Sequence, residues 1–162
     1  MKYCIILIVF SCVLSGFAQS RTVYRDGSGR MRGSVTIDAS GRETYRDSAG
    51  CFQGTARTDA SGRTTWRDSS GRIQGTSTVD ASGTITYRDS RGRFQGTART
   101  DASGRTTYRD NRGSLIGSET RDASGNTTWR DNRGRFRGTG RGTGGGDVPP
   151  SQQNPFTRSN WR

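Results

Sequence analysis

The chain repeats itself every 21 residues. Tyr24, Tyr45, Trp66, Tyr87, Tyr108 and Trp129 recur at that step, and each is followed by Arg-Asp. A second marker, Asp-Ala-Ser-Gly, begins at Asp38, Asp59, Asp80, Asp101 and Asp122 with the same spacing. Self-similarity at a fixed period means stacked copies of one small supersecondary unit, not a core folded around a unique pocket. Whatever chemistry such a chain carries is multiplied and lies on the surface.

Each unit reads as two strands and two turns. In the unit from Tyr87, Arg93–Thr100 is extended, and Asp89-Ser-Arg-Gly and Asp101-Ala-Ser-Gly turn the chain on either side of it. Aspartate at the first turn position can accept from the backbone two residues on, and glycine at the fourth tolerates positive φ. This is the chemistry of a type I turn followed by a bulge. The segments between turns are rich in Thr, aromatic and β-branched residues, and no 3.6-residue apolar rhythm follows the first 18 residues. Strict alternation puts Phe94, Gly96 and Ala98 on one face with the aromatic column, and Gln95, Thr97 and Arg99 on the other. By the same parity Met31, Gly33, Val35 and Ile37 share the apolar face, as do Ile73, Gly75, Ser77 and Val79. The fifth unit departs from the pattern: Leu115-Ile116 brings an apolar residue to the polar face, and Glu119 replaces a small residue.

One hairpin with two large apolar groups is not stable alone, whereas neighbours can share the stripe. The expected fold is therefore all-β: six strand-turn-strand repeats in an antiparallel hairpin meander, curled so that its apolar faces meet, or a β-solenoid. In the meander the first and last strands leave edges open to further pairing.

Three segments are expected. Residues 1–18 read as a secretory signal peptide, with Lys2, an apolar run from Ile5 to Leu14 and a small-residue end. Residues 19–139 form the repeat domain, and the Gly-rich residues 140–162 read as a flexible linker and tail. Cleavage would leave Cys51 as the lone cysteine, in a slot filled by Arg30, Arg72, Arg93 and Arg135 elsewhere. The net charge is +12, and almost every cation is arginine. A field of this sign favours polyanions.

The unit Tyr-Arg-Asp-x-x-Gly-Arg-Phe, followed by Asp-Ala-Ser-Gly-x-Thr-Thr-Tyr, resembles the YD repeat of Rhs and teneurin proteins. The resemblance runs from Tyr24 to about Gly138 and implies a spiralling sheet of β-hairpins. The arginine between aromatic and aspartate departs from that pattern, and six units are too few to enclose a cargo as Rhs shells do. In architecture alone the chain is similar to curli-type secreted subunits, which stack into fibres.

Catalytic chemistry is not indicated. The chain has no histidine, and its aspartates recur in equivalent settings, whereas a catalytic pair needs two carboxylates in distinct ones. The Asp-x-x-Gly turns do not match calcium-loop spacing, so no metal or cofactor is implied. A threonine column (Thr44, Thr65, Thr86, Thr107, Thr128) is interrupted by arginine, which disfavours a flat ice-binding face. Asn126-Thr-Thr is a glycosylation sequon for a eukaryotic secretory route.

The sequence thus points to a secreted protein of the extracellular matrix or cell surface, structural or adhesive, and not an enzyme. Arg25, Arg46, Arg67, Arg88, Arg109 and Arg130 are the candidate contacts with anionic polymers or surfaces. The Tyr/Trp column is the structural seam, and the Phe/Ile column is expected to help hold the sheet. Partners are other copies of the chain, as a homo-oligomer or fibre, and anionic polymers, with no small-molecule substrate. The alternative is a soluble monomeric module that binds a polyanion: polysaccharide, lipopolysaccharide or extracellular nucleic acid.

Overall fold

The computed structural model of the chain describes residues 20–143. The expected signal peptide and most of the expected tail lie outside the described residues. Twelve antiparallel strands follow one another: β1 (Ser20–Asp26), β2 (Met31–Ile37), β3 (Glu43–Asp47), β4 (Phe52–Thr58), β5 (Thr64–Asp68), β6 (Ile73–Val79), β7 (Ile85–Asp89), β8 (Phe94–Thr100), β9 (Arg105–Asp110), β10 (Leu115–Arg121), β11 (Thr127–Asp131) and β12 (Phe136–Thr143). Each strand pairs with its sequence neighbours, and β1 pairs with β12, so the sheet closes into a barrel.

Every turn follows one scheme. At the Asp59 turn, Gly62 N–H donates to the Asp59 carbonyl at 3.0 Å and Asp59 N–H donates to the Arg63 carbonyl at 2.9 Å. The Asp59 Oδ1 accepts from Ser61 N–H at 2.9 Å and from Arg63 N–H at 3.1 Å. Gly62 sits at φ +79° with no atom within 4 Å of an added Cβ. The Ser61 hydroxyl and these backbone donors hold the Asp59 carboxyl below its usual range. The turn residues thus act as the sequence indicates. Asp59→Ala is expected to lower the Tm by roughly 2–4 °C, because two turn N–H groups lose their acceptor, while Asp59→Asn, which keeps an Oδ1, stays near wild type. Thermal unfolding of both variants checks this.

The closed barrel corrects the open-edged meander and excludes the solenoid. A sheet with its aromatics on one face leaves that face wet when flat, and curling until the edges meet lets side chains from opposite walls share one interior. Closure also abolishes the unpaired edges. Inside, Ala56, Trp66, Tyr87, Ala98 and Tyr108 form a buried cluster, with Tyr45, Ile85 and Ile116 packed against it.

The expected linker boundary at residue 140 is corrected too, because β12 runs on to Thr143 and seals the barrel. Gly140 faces inward between Tyr24 and Trp129, whose rings meet at 5.5 Å. A Cβ there would lie 2.8 Å from Trp129 Cη2 and 3.2 Å from Tyr24 Cδ1. This glycine makes room for two rings; it does not mark a flexible segment.

The expected parity fails in one systematic way. Tyr45 lies opposite Gly54, but Arg46 lies opposite Phe52, so Gln53 is an extra residue in β4. The same shift occurs at the equivalent point in β2, β6, β8, β10 and β12. Each bulge sends the first residue of its strand to the outer face, beside an arginine. Phe52, Ile73, Phe94, Leu115 and Phe136 are accordingly 36–45% exposed. The Phe/Ile column therefore does not hold the sheet, and in the fifth unit Leu115 turns outward while Ile116 packs against the core.

Candidate functional site: the outer arginine face

The candidate arginines Arg25, Arg46, Arg67, Arg88, Arg109 and Arg130 lie at the outer ends of the odd-numbered strands, all exposed. Each donates from Nη1 to the carbonyl of the glycine four residues on, at 2.8–3.1 Å. Gly29, Gly50, Gly71, Gly92, Gly113 and Gly134 are those acceptors. The sequence indicates contact with anions but not this second role, in which each guanidinium latches the turn that follows it. The latch takes one of five N–H donors and fixes the direction of the planar group, which suits it to carboxylate or phosphate geometry.

The two ends of the barrel differ. The arginine-column end, counting the column with its adjoining turns and bulges, carries fifteen arginines against six aspartates, while the other end carries eight against five. The same end presents the bulged ring of Phe52, Ile73, Phe94, Leu115 and Phe136, with half-buried Met31 completing it. A basic field and exposed apolar groups thus share one rim. The free Cys51 is also exposed at this rim, and its N–H donates to Asp47 Oδ1 at 2.9 Å.

The structural aromatic column points inward. Trp66, Tyr87 and Tyr108 are buried, whereas Tyr24, Tyr45 and Trp129 are half-buried. Trp66 stacks on Tyr87 with ring centroids 6.0 Å apart. The interior also holds the chain's two glutamates, Glu43 and Glu119, each 4% exposed. The Tyr45 hydroxyl donates to Glu43 Oε2, and Trp129 Nε1 donates to Glu119 Oε2 at 3.0 Å. Burial pushes the Glu43 carboxyl up to about 7, the Tyr45 bond opposing it. Burial also raises the Tyr45 hydroxyl, with the neighbouring Glu43 adding to it.

Among the described residues no group of three or more His, Cys, Asp or Glu side chains is placed to hold a metal. The described aspartates are occupied as turn acceptors. Asn126 Nδ2 donates to Asp122 Oδ2 at 2.9 Å within its own turn.

Sequence reasoning gives no site role to two sets of outward residues. Phe52, Phe94 and Phe136 share β4, β8 and β12 with Arg57, Arg99 and Arg141. These recur every 42 residues, twice the basic period, and that doubled period is the signal that finds them.

No family model matches the chain. No curated protein matches it either. Among solved structures, BamB from Moraxella catarrhalis is 13% identical over 67% of this chain and 54% of its own, with a TM-score of 0.29. The chain thus spans about half the length of that structure, and a likeness this weak carries no argument about fold or role.

Proposed function

We propose that the chain is a secreted, non-enzymatic binding module that adheres to polyanions outside the cell. In this reading six 21-residue hairpin units, variants of the YD-repeat hairpin, supply a ring of identical weak contacts that act by number. One observation carries it: six exposed guanidinium groups at one level around the barrel, each pinned by a turn carbonyl. Pre-set groups lose less side-chain freedom on binding than free ones.

The expectation of a fibre-forming structural subunit has less support than the alternative of a polyanion-binding module. Growth by strand addition needs a free edge, and here β1 and β12 satisfy each other. A fibre would first have to open that seam. Adhesion to an anionic matrix needs no such step.

Binding to a sulfated polysaccharide, measured by calorimetry from low to high salt, is expected to weaken roughly tenfold or more as counterions compete. Affinity that stays flat across the series would remove the electrostatic basis of the proposal.

A further inference from the structure

The register of the sheet assembles outward residues into rows that run across the strands. Arg57 lies opposite Thr65, Thr65 opposite Thr76, Thr76 opposite Arg88, and Arg88 opposite Phe94. Two further rows have the same order: Arg99, Thr107, Ser118, Arg130, Phe136, and Arg141, Val23, Ser34, Arg46, Phe52. The last row crosses the β12–β1 seam and exists only because the barrel closes.

Each row has a profile. Its two arginines and its phenylalanine are exposed, while the Ser or Thr beside the inner arginine is buried, at 7% for Thr76 and 4% for Ser118 and Ser34. A low floor of small, mainly hydroxyl-bearing residues thus lies between two guanidinium groups, with an aromatic face beyond one of them. The arginines stand three strand spacings apart, about 14 Å. The intervening rows lack this design: Thr36, Thr44, Thr55, Arg67, Ile73 has one arginine and no aromatic.

We infer that the three Arg–Arg–Phe rows are three equivalent sites for segments of a linear acidic polysaccharide, lying across the strands. This rests on the polyanion reading above and adds ligand class, direction and number. The strand spacing is close to the length of one sugar unit, so successive side chains meet successive sugars. Guanidinium groups pair with carboxylate or sulfate, the half-buried Thr65 and Thr107 exchange hydrogen bonds with sugar hydroxyls in their rows, the buried Ser or Thr beside the inner arginine leaves clearance for the chain, and the phenylalanine covers the apolar face of a ring. Single-stranded nucleic acid fits less well. It uses aromatics close enough to stack successive bases, whereas Phe52, Phe94 and Phe136 stand four strands apart, about 19 Å.

The test uses the protein spanning the barrel, titrated with a sulfated hexasaccharide and read by calorimetry and native mass spectrometry. Wild type is expected to bind three oligosaccharides. Arg57→Thr, which copies the residue at the matching position of a sister row, is expected to bind two. The triple variant Arg57→Thr/Arg99→Thr/Arg141→Thr is expected to lose affinity at least tenfold. A control that removes the same charge from the same end of the barrel but outside the rows, Arg42→Thr/Arg63→Thr/Arg121→Thr, is expected to lose no more than about twofold. Equal losses in the two triples, or a stoichiometry unchanged by Arg57→Thr, would overturn the rows while leaving polyanion binding intact. No binding by wild type at low salt would instead overturn the underlying reading. An oligonucleotide of equal charge that binds with the same stoichiometry, affinity and sensitivity to the row triple would overturn the assignment to polysaccharide.

Discussion

Gly54→Ala is expected to destabilise the barrel by about 3–4 kcal/mol, far beyond what alanine costs at a turn glycine. Gly54 sits at φ +153°, and an added Cβ would fall 2.1 Å from the Arg67 carbonyl oxygen and 3.1 Å from its carbon. Both atoms are backbone of the adjacent strand, so relief requires β4 and β5 to separate where Gly54 pairs with Asp68. Gly62→Ala is the comparison. That glycine has φ +79° and open space around it, so alanine there meets only the left-handed conformational penalty, about 1 kcal/mol. Urea unfolding of the two variants decides the matter. Equal losses would show that conformation alone, not the close approach of strands, demands glycine at the bulge.

The second large effect depends on pH. The Glu43 carboxyl is protonated more readily in the folded barrel, near 7, than at its ordinary value of 4.5. Between these values the folded state binds the extra proton. Stability from this group is therefore fully present below about 4.5, falls as pH rises towards 7, and is lost above it. The span corresponds to about 3 kcal/mol. Glu43→Gln keeps an acceptor for the Tyr45 hydroxyl and cannot ionise. The variant is expected to gain about 3 kcal/mol on wild type between pH 4 and pH 8, because every other titrating group is common to both. Denaturant unfolding at the two pH values measures it, and a difference between the proteins that does not change with pH would refute the buried-acid account.

Much of the architecture is legible in the sequence because it is local. The Asp-x-x-Gly turns, the strands between them and the aromatic column follow from residues within a few positions of one another, and local chemistry decides them. Two features are not local. Closure depends on how twist and curl accumulate over twelve strands, which no single unit states. Facing is set by the bulges, and one extra residue reverses the parity of what lies beyond it. The clue was in view: an interior strand glycine at Gly33, Gly54, Gly75, Gly96, Gly117 and Gly138 marks a bulge or a close backbone approach. Reading those glycines as small members of an apolar stripe put Phe94 on the wrong side. For the candidate site, the arginine column is legible as exposed charge. Its latch to the turns and the rows that cross the strands depend on register, and register belongs to pairs of strands.

The seam between the first strand and the last also governs how the molecule comes into being. Its two partners are separated by all ten other strands of the barrel, while every other pairing joins neighbours across a short turn. Hairpins can zip up in order as the polypeptide emerges, but the ring cannot be completed until the final strand arrives, and non-local pairings of this kind form slowly. Until then the nascent sheet has two naked margins, the state in which such a protein is most prone to stick to its own kind.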